Sequence, residues 1–297
     1  MTRTITIVTP TRNAAEYLVE TIESVRAQSG RGLRIEHLFV DSGSTDGTLE
    51  ILEAHGCDVI HVPPINVNHS TNVGMRAARG EAIGFLGGDD LLLPGAADHV
   101  VDWLDHRTND WLIGAIHWTD AASFSQGVLR PPPSWMTTAM YASMTWSCVP
   151  AQTVWFTPEF FAAVDGFPED FEHIGDFYFF GRAIQFSRYD RTTRPLATYR
   201  RHGANMSMAT GEARSLEFRR VQGEFAPASP VVRLSYRYLL KFWTNATNPG
   251  WMIRKRANAL MPRRPVPVSD SELRSPREAG TEREGRSDHS PPEGCSG

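Results

Sequence analysis

The chain has 297 residues, of which 41% are hydrophobic and 22% are charged, and its formal net charge is -4. This composition is typical of a soluble globular protein with one sizeable core, and the net negative charge excludes an overall basic, nucleic-acid-binding character. Three widely separated cysteines and the lack of a signal-like or membrane-spanning apolar stretch predict a cytoplasmic protein without a disulfide framework.

The first predicted unit is a strand at 4–8, a loop and a helix. The strand reads TITIV, is rich in β-branched residues, and is followed by Thr9 and Pro10. Apolar residues then recur at helical spacing, and Asn13 and Glu16 have the spacing of a capping box. We therefore expect the helix to begin next to Asn13.

Three more strands are predicted, separated by two helices. The strands cover 35–40, 58–62 and 82–86, and the helices cover 49–55 and 72–79. This alternation predicts a mostly parallel sheet with right-handed crossovers. Ligands bind outside the carboxyl ends of the strands in such sheets, so the loops after Thr9, Asp41 and Leu86 predict a nucleotide-type site.

Asp89 and Asp90 are adjacent carboxylates at the end of a predicted buried strand. Like charges there repel each other unless a cation compensates them. Divalent cations prefer oxygen ligands and are often shared with a phosphate. An isolated Asp-Asp pair is more often a solvated turn, but its position after two other polar strand ends favours a metal–diphosphate site.

The second half of the sequence predicts a less regular arrangement. We expect a helix from 94 to about 105, strands at 111–118, 151–157 and 194–200, an irregular stretch at 127–150, and helices near 158 and 176. Asp176 lies near the start of the last of these helices, and His202 follows the last strand.

The segment from 225 to 264 contains no acidic residue. Its basic residues are Arg233, Arg237, Lys241, Arg254, Lys255, Arg256, Arg263 and Arg264, interleaved with aromatic ones. Such a stretch suits an anionic membrane surface, and a terminal helix packed on the domain with solvated arginines is an equal alternative. We therefore divide the chain into a domain at 1–224, a basic aromatic helical extension at 225–264, and a compositionally disordered tail at 265–297.

Six motifs in one order resemble glycosyltransferase family 2, of the GT-A fold, over about residues 4–210. They read IVTPTRNAAEYLVETIESVRAQ, LFVDSGSTDGTLEIL, NVGMRAARGEAIGFLGGDD, VPAQTVWFTPEFFAAVDGF, IGDFYFFGRA and YRRHGANMS. The resemblance implies an α/β fold with one Rossmann-like nucleotide-binding domain and a mixed, mostly parallel central sheet. Within the family, the chain is most similar to enzymes that decorate bacterial cell-surface polysaccharides or glycolipids.

The resemblance also implies which residues hold a nucleotide-sugar donor. They are Thr9, Pro10, Asn13, Glu16, Asp41 and Asn72. Asp41 can accept hydrogen bonds from a nucleobase or a ribose, and its alternative role is to cap the loop that follows it. Helix capping is the alternative for Glu16 and Asn72.

The metal motif implied by the family departs from its commoner form, because Gly87 stands where many relatives have a further aspartate. Asp89 is then the main protein ligand of Mg²⁺ or Mn²⁺, and Asp90 supports it or contacts the sugar. The resemblance places His202 near the metal or the diphosphate.

Asp176 is the implied general base, which takes the proton from the acceptor hydroxyl in an inverting transfer. An N-cap role is its alternative, and Asp170 and Glu172 are weaker competitors. Relatives often carry a second acid two residues later, where this chain has Tyr178.

The predicted function is metal-assisted, inverting transfer of a sugar, favoured to come from a UDP-sugar. The acceptor is a hydroxyl of a glycan or lipid-linked saccharide, with the enzyme peripheral on the inner face of the cytoplasmic membrane. A sugar-nucleotidyltransferase is one alternative, although TPTRN supplies only Arg12 for a triphosphate. A non-catalytic sugar-nucleotide-binding protein that lost its metal site through Gly87 is the other.

Overall fold

The computed structural model describes residues 2–28, 30, 32–203, 205, 211–251, 253 and 266. The strands are β1 (Arg3–Thr11), β2 (Leu33–Asp41), β3 (Asp58–His61), β4 (Ala82–Phe85), β5 (Trp111–Asp120), β6 (Ser125–Leu129), β7 (Val154–Phe156) and β8 (Asp190–Arg201). The helices are α1 (Leu18–Arg26), α2 (Thr48–Ala54), α3 (Val67–Ala77), α4 (Ala96–His106), α5 (Thr138–Ala142), α6 (Pro158–Val164), α7 (Gly175–Phe186), α8 (Glu212–Phe225) and α9 (Pro230–Thr247). No helix in these ranges is long and apolar enough to cross a bilayer.

The eight strands form one mixed sheet in the order β3-β2-β1-β4-β7-β5-β6, with β8 paired to β5. The pairs β1–β2, β1–β4, β2–β3 and β5–β8 are parallel, and β7 runs antiparallel to both of its neighbours. β4, β5 and β8 therefore point the same way as β1, so the carboxyl ends of β1, β2, β4 and β8 lie at one edge of the sheet.

Helices cover both faces of this sheet. Ile5 and Ile7 of β1 belong to a core cluster with side chains of α1 and α4. Val8 belongs to a second cluster with Met75 of α3 and the aromatic side chains of α6 and α7. The alternating side chains of β1 thus join two apolar layers, which is the arrangement of a three-layer α/β domain.

The start of the chain differs from the sequence-based prediction in two places. β1 continues through Thr9, Pro10 and Thr11, because these residues pair in parallel with 39–41 of β2. α1 begins only at Leu18, and its N-cap, Tyr17, makes no side-chain capping hydrogen bond. The capping box predicted for Asn13 and Glu16 is therefore wrong.

Three further predicted elements change. α3 begins at Val67, where the Asn66 side chain accepts a hydrogen bond from the His69 amide, so Asn72 is not an N-cap. The stretch at 127–150 holds the end of β6 and the short α5. Residues 151–153 form a 3-10 turn before β7, so the predicted strand begins only at Val154.

The extension α9 packs on the domain. Leu240 is buried in the same core cluster as α6 and α7. The basic residues at 254–256 and 263–264 and nearly all of the predicted tail lie outside the described residues. Val266, the one described residue of the tail, is buried and donates its amide hydrogen to the Ser123 carbonyl.

Gly80 sets how closely the α3–β4 connection approaches β1. A Cβ atom at this position would lie 2.4 Å from the Thr6 nitrogen and 2.7 Å from the Ile5 carbonyl carbon. Because these are backbone atoms of a central strand, Gly80→Ala is expected to lower the free energy of unfolding by about 2–3 kcal/mol. Urea denaturation would measure it.

Gly223 provides the matched control for that prediction. It lies inside α8, and a Cβ atom there would meet nothing within 4 Å. Gly223→Ala is expected to leave stability unchanged or raise it by up to about 1 kcal/mol, since alanine is the better helix former. Equal effects of the two substitutions would contradict the close approach at Gly80.

Candidate functional site

A cluster of polar side chains joins the ends of β4 and β8. The Nε2 atom of His202 lies 2.8 Å from Oδ2 of Asp89. Asn205 places its Nδ2 atom 3.2 Å from the same Oδ2 atom and 3.2 Å from the His202 nitrogen. Asp89 keeps about a third of its side chain exposed, so this cluster opens to solvent at the carboxyl edge.

Asp90, unlike its neighbour, points into the protein. Its Oδ1 atom accepts the Arg200 amide hydrogen at 2.8 Å, and its Oδ2 atom accepts from Nε2 of Gln152 at 2.9 Å. Burial, and then the neighbouring Asp89, raise the pKa of Asp90 well above its ordinary value. The two carboxylates therefore separate into an open one and a buried one that supports the turn, and the supporting alternative for Asp90 matches this geometry.

Gly87 is shaped by the same turn. A Cβ atom there would lie 2.6 Å from Oδ1 of Asp89 and 2.9 Å from Oδ2 of Asp90. Glycine thus lets both carboxylates fold back over the turn. The hydroxyl of Thr21 in α1 holds the turn in place, because its single hydrogen is shared between the carbonyls of Gly88 and Asp90 at 3.0 and 2.9 Å.

Arg200 is a buried cation of β8 that ties this turn to the start of α1 and to the loop after β5. Its Nε atom donates to the Asp89 carbonyl at 2.8 Å and its Nη1 atom to the Ala121 carbonyl at 3.2 Å. Its Nη2 atom forms an ion pair with Glu20 at 2.6 Å, and its guanidinium lies over the Tyr17 ring at 4.5 Å. A guanidinium can satisfy all these directions at once because its donors form a rigid planar fork.

Arg200→Lys is therefore expected to be a costly substitution although it keeps the charge. An ammonium cannot reach the Asp89 and Ala121 carbonyls and Glu20 together, so we expect a loss of about 2–4 kcal/mol in the free energy of unfolding. Urea denaturation measures this loss. The exposed Arg34 of β2 gives the control, Arg34→Lys, and a similarly small effect at both positions would contradict the role of the buried guanidinium.

We call residues 12–17, between β1 and α1, the first loop. Tyr17 connects this loop to the cluster of Asp89, His202 and Asn205. The centroid of its ring lies 5.1 Å from that of the His202 ring. The same Tyr17 ring also contacts the Arg200 guanidinium. Glu16 is exposed, and its carboxylate beside the Tyr17 hydroxyl raises the pKa of that phenol. The loop after β1 is thus held against the end of β8.

Asn13 organises the contact between the first two loops. It is exposed and adopts the left-handed backbone region with φ 54°. Its Oδ1 atom accepts the Thr45 amide hydrogen at 2.9 Å, and its own amide donates to the Ser44 hydroxyl at 2.9 Å. Its position in the turn, and not a helix cap, accounts for asparagine there.

Asp41 is buried and accepts four hydrogen bonds within its own surroundings. They come from the Gly43 amide, the Ser44 amide and hydroxyl, and the Thr11 hydroxyl, at 2.5–3.0 Å. These hydrogen bonds match the alternative role predicted for Asp41, in which it caps the loop that follows it. The carboxylate shapes the loop at 42–47 from beneath.

Thr9 and Asn72 are also buried, whereas Pro10, near the end of β1, is half-buried. The Thr9 hydroxyl is 2.9 Å from Nε2 of His37, whose pKa is lowered to about 3 by burial. Asn72 is buried and exchanges hydrogen bonds with the Phe167 backbone at 2.8 and 2.9 Å, and it donates to Glu169. Both side chains are used by the fold itself.

Asp176 lies in the first turn of α7, inside the helix. The N-cap is Ile174, and the amides of 172–174 are capped by Glu217 of α8 at 2.7–3.1 Å. The N-cap alternative for Asp176 is therefore wrong. Burial raises the pKa of this carboxyl, while the positive charge of Arg214 opposes the rise.

The first turn of α7 is brought to the carboxyl edge by its packing on α3. A Cβ atom on Gly175 would lie 2.2 Å from Nδ2 of Asn68, so a larger residue there would displace the Asn68 side chain. Asn68 follows β3 at the start of α3 and donates to the Phe171 carbonyl at 2.7 Å. Asp176 and Asp89 thus belong to the same edge of the sheet.

Asp89 and His202 form a donor pair that fits a divalent cation shared with a phosphate. One carboxylate and one imidazole suit Mn²⁺ at least as well as Mg²⁺. Within the described ranges, no three His, Cys, Asp or Glu side chains come together as a metal-binding group. Phosphate oxygens and water are the further ligands that a divalent cation ordinarily takes at such a site.

Sequence reasoning missed Arg200, Glu20, Tyr17 and Asn205 as parts of this site. Tyr17 belongs to the apolar residues at helical spacing that predict the first helix. Arg200 and Asn205 lie within the motif YRRHGANMS, but no local pattern distinguishes Arg200 from its neighbour Arg201. Glu20 carried no signal either.

The chain was compared with known families and proteins. The model named Glycosyl transferase family 2 matches residues 6–161. A chondroitin synthase of Escherichia coli is 33% identical over 103 residues, which cover 33% of this chain and 15% of the relative. The putative teichuronic acid biosynthesis glycosyltransferase TuaG of Bacillus subtilis is 34% identical over 92 residues, covering 29% and 36%. The chain thus matches well under half of the length of these relatives.

Solved structures share the fold. TarS of Staphylococcus aureus in complex with UDP-GlcNAc superposes with a TM-score of 0.60 at 20% identity, covering 78% of this chain and 69% of that one. The mannosyltransferase PcManGT of Pyrobaculum calidifontis, in complex with GDP-Man and Mn²⁺, has a TM-score of 0.51 at 18% identity, covering 88% and 77%. The α/β architecture predicted from the sequence, GT-A with a mixed sheet and C-terminal helices, is confirmed.

Proposed function

Because the chain belongs to glycosyl transferase family 2, we propose that it transfers a sugar from a nucleotide-diphosphate donor to an acceptor hydroxyl, with inversion at the anomeric carbon. The observation that carries this proposal is the convergence of Asp89 and His202 at 2.8 Å beside the first loop. A carboxylate with a raised pKa, Asp176, belongs to the same edge. Asp89 and His202 would bind the metal and diphosphate, and Asp176 would act as the base.

The donor is favoured to be a UDP-sugar, and GDP- and dTDP-sugars stay open. UDP-GlcNAc and GDP-Man complexes among the structures of the same fold support this range. Pro10, Asn13 and Glu16 would border the nucleoside at the first loop. Thr9, Asp41 and Asn72 would support that surface from beneath, and Asp90 would hold the turn that presents Asp89.

Each catalytic part has a separate task. Asp89 and His202 would hold Mg²⁺ or Mn²⁺ with the donor diphosphate, and the bound ion would supply Lewis-acid stabilisation of the leaving group. Asp176 takes the proton of the acceptor hydroxyl as that oxygen attacks the anomeric carbon. Its raised pKa makes it a stronger base than an ordinary aspartate, which is what this step needs.

The acceptor is a glycan or lipid-linked saccharide, and the enzyme works at the cytoplasmic face of a membrane. The names of the relatives, a chondroitin synthase and a teichuronic acid biosynthesis enzyme, support a polysaccharide acceptor. The two described cysteines, Cys57 and Cys148, are free, in keeping with a reducing compartment. In this proposal residues 1–224 are the transferase domain and 225–264 provide the contact with anionic lipid.

Turnover of a sugar-nucleotide panel tests the activity. The purified chain is incubated with UDP-, GDP- and dTDP-sugars and Mn²⁺, and nucleoside diphosphate release is measured with and without saccharide acceptors. Release from one donor class supports the proposal. Release of pyrophosphate from a nucleoside triphosphate and a sugar phosphate would instead support a nucleotidyltransferase.

Calorimetry of UDP binding separates the enzyme from a non-catalytic binding protein. If Asp89 and His202 hold an ion with the diphosphate, Mn²⁺ will tighten UDP binding. Binding that Mn²⁺ leaves unchanged would match a protein whose metal site was lost through Gly87.

A further inference from the structure

The outward side of α9 is apolar. Val231, Leu234, Tyr238 and Phe242 recur at intervals of three and four residues, and between 49% and 73% of each is exposed. We call these four residues the outer strip. A surface helix ordinarily presents polar side chains to water, so an apolar strip of this length marks a contact surface.

The opposite side of α9 is already occupied by the domain. Leu240 and Thr244 are buried, and Nε of Arg237 donates to the Ser143 carbonyl at 3.1 Å. The Trp243 ring lies under the Arg191 guanidinium at 5.3 Å, and Asn248, just after the helix, accepts the Arg130 amide hydrogen at 2.8 Å. These contacts fix which side of α9 faces the domain. The outer strip is therefore not a side of the helix that should have packed into the core.

Charge indicates what covers the strip. In the described part of the segment, at 225–251 and 253, no residue is acidic, and α9 carries Arg233, Arg237 and the exposed Lys241. A second copy of the chain packed on the strip would bring two such basic helices together, which electrostatic repulsion disfavours. An anionic lipid surface complements both the apolar strip and the charge.

We propose that the outer strip of α9 lies in the interfacial layer of an anionic bilayer and docks the folded domain there. Val231, Leu234 and Phe242 would enter among the headgroups and upper acyl chains, and Tyr238 suits this layer because its ring is apolar and its hydroxyl polar. The proposal rests on the proposed function and deepens it, because it assigns the contact between 225–264 and anionic lipid to four residues of α9.

Vesicle sedimentation of the full chain tests this docking without any substrate. The probe is phosphatidylcholine vesicles with and without one quarter phosphatidylglycerol, at low and high salt. We expect the chain to sediment with the anionic vesicles and to be released by salt. Tyr238→Ser combined with Phe242→Ser should weaken the partition by about tenfold or more, because two large apolar groups are removed.

Phe186→Ser is the matched control. Phe186 is an exposed phenylalanine at the end of α7, outside the outer strip, and its replacement should change the partition less than twofold. Thermal unfolding of both variants checks that the domain is intact. Equal binding of the double variant, no binding of the wild type to anionic vesicles, or a dimer in solution that the double variant abolishes would each overturn the proposal.

Failure of this docking can be told apart from failure of the proposed function. Release of nucleoside diphosphate from a soluble sugar nucleotide does not involve the outer strip. A chain that hydrolyses the donor without binding vesicles would overturn the lipid contact and leave the proposed glycosyl transfer standing, and a chain that binds vesicles without donor turnover would overturn the glycosyl transfer alone.

Discussion

Asp89→Ala is expected to lower turnover of the sugar nucleotide by about 10²–10³-fold, the usual cost of removing one preorganised group that stabilises developing charge. Asp89 is the open carboxylate of the pair, and His202 and Asn205 converge on its Oδ2 atom. Removing it would leave His202 as the one remaining metal ligand of the proposed pair. The measurement is nucleoside diphosphate release at saturating Mn²⁺, together with the Mn²⁺ concentration needed for half-maximal rate.

The control for this substitution is Asp102→Ala, at an exposed position of α4. It removes the same charge from the protein without touching the carboxyl edge, so its turnover should stay within about twofold of wild type. Calorimetry of UDP should show that the Mn²⁺ enhancement is lost in Asp89→Ala alone. Wild-type turnover in Asp89→Ala would remove Asp89 from the metal–diphosphate site.

Asp176→Asn is expected to lower turnover by about 10²–10⁴-fold, which is the range for loss of a general base. The amide has the shape of the carboxyl and can still accept the Phe177 amide hydrogen at Oδ1, so the helix start should survive. Binding of UDP should be unchanged, because Asp176 acts on the acceptor. A drop in turnover with unaltered UDP affinity is the expected pattern.

Asp170→Asn separates the proposed base from its competitor. Asp170 is exposed and forms an ion pair with Arg220 of α8. Its replacement should leave turnover nearly unchanged. If Asp170→Asn abolished activity and Asp176→Asn did not, the base would lie upstream of α7.

The pH profile gives a second test of Asp176. The active form is the deprotonated carboxylate, so activity should rise with pH through the pKa of this group. Burial raises that pKa above the ordinary value of 3.8, and the hydrogen bond from the Phe177 amide and then the charge of Arg214 partly lower it. Arg214→Gln removes that charge, so the acidic limb should move to higher pH. A shift to lower pH, or an unmoved limb, would contradict this assignment.

Local sequence patterns predicted most of the strands and helices. A β-branched run predicted β1, helical spacing predicted α1, and β2 to β4 and α2 to α4 were predicted with boundaries a few residues off. The largest errors came where tertiary contacts replaced local ones. β1 continues to Thr11 because its neighbour β2 offers partners there, and α7 is capped by Glu217 from a different helix. Neither contact has a local signal.

In the candidate site, too, local sequence patterns predicted some features and tertiary contacts decided others. The sequence predicted that the loops after β1, β2 and β4 converge, since parallel strands bring their carboxyl ends to one edge. The family resemblance ranked Asp89 as the main metal ligand and Asp90 as its support, without a physical reason in the chain itself. The fold supplies that reason, because the amide of Arg200 and the side chain of Gln152 hold Asp90 inside while Asp89 faces outward.

The chain by itself thus determined the family, the alternation of strands and helices, and the edge at which the polar loops meet, because these follow from periodicity and motif order along the chain. The tertiary structure decided the orientation of individual side chains. It turned Asp41 into a loop cap, drew Arg200 under the Asp89 turn, and left one side of α9 apolar and open. Those outcomes depend on partners distant in sequence, which local patterns do not encode.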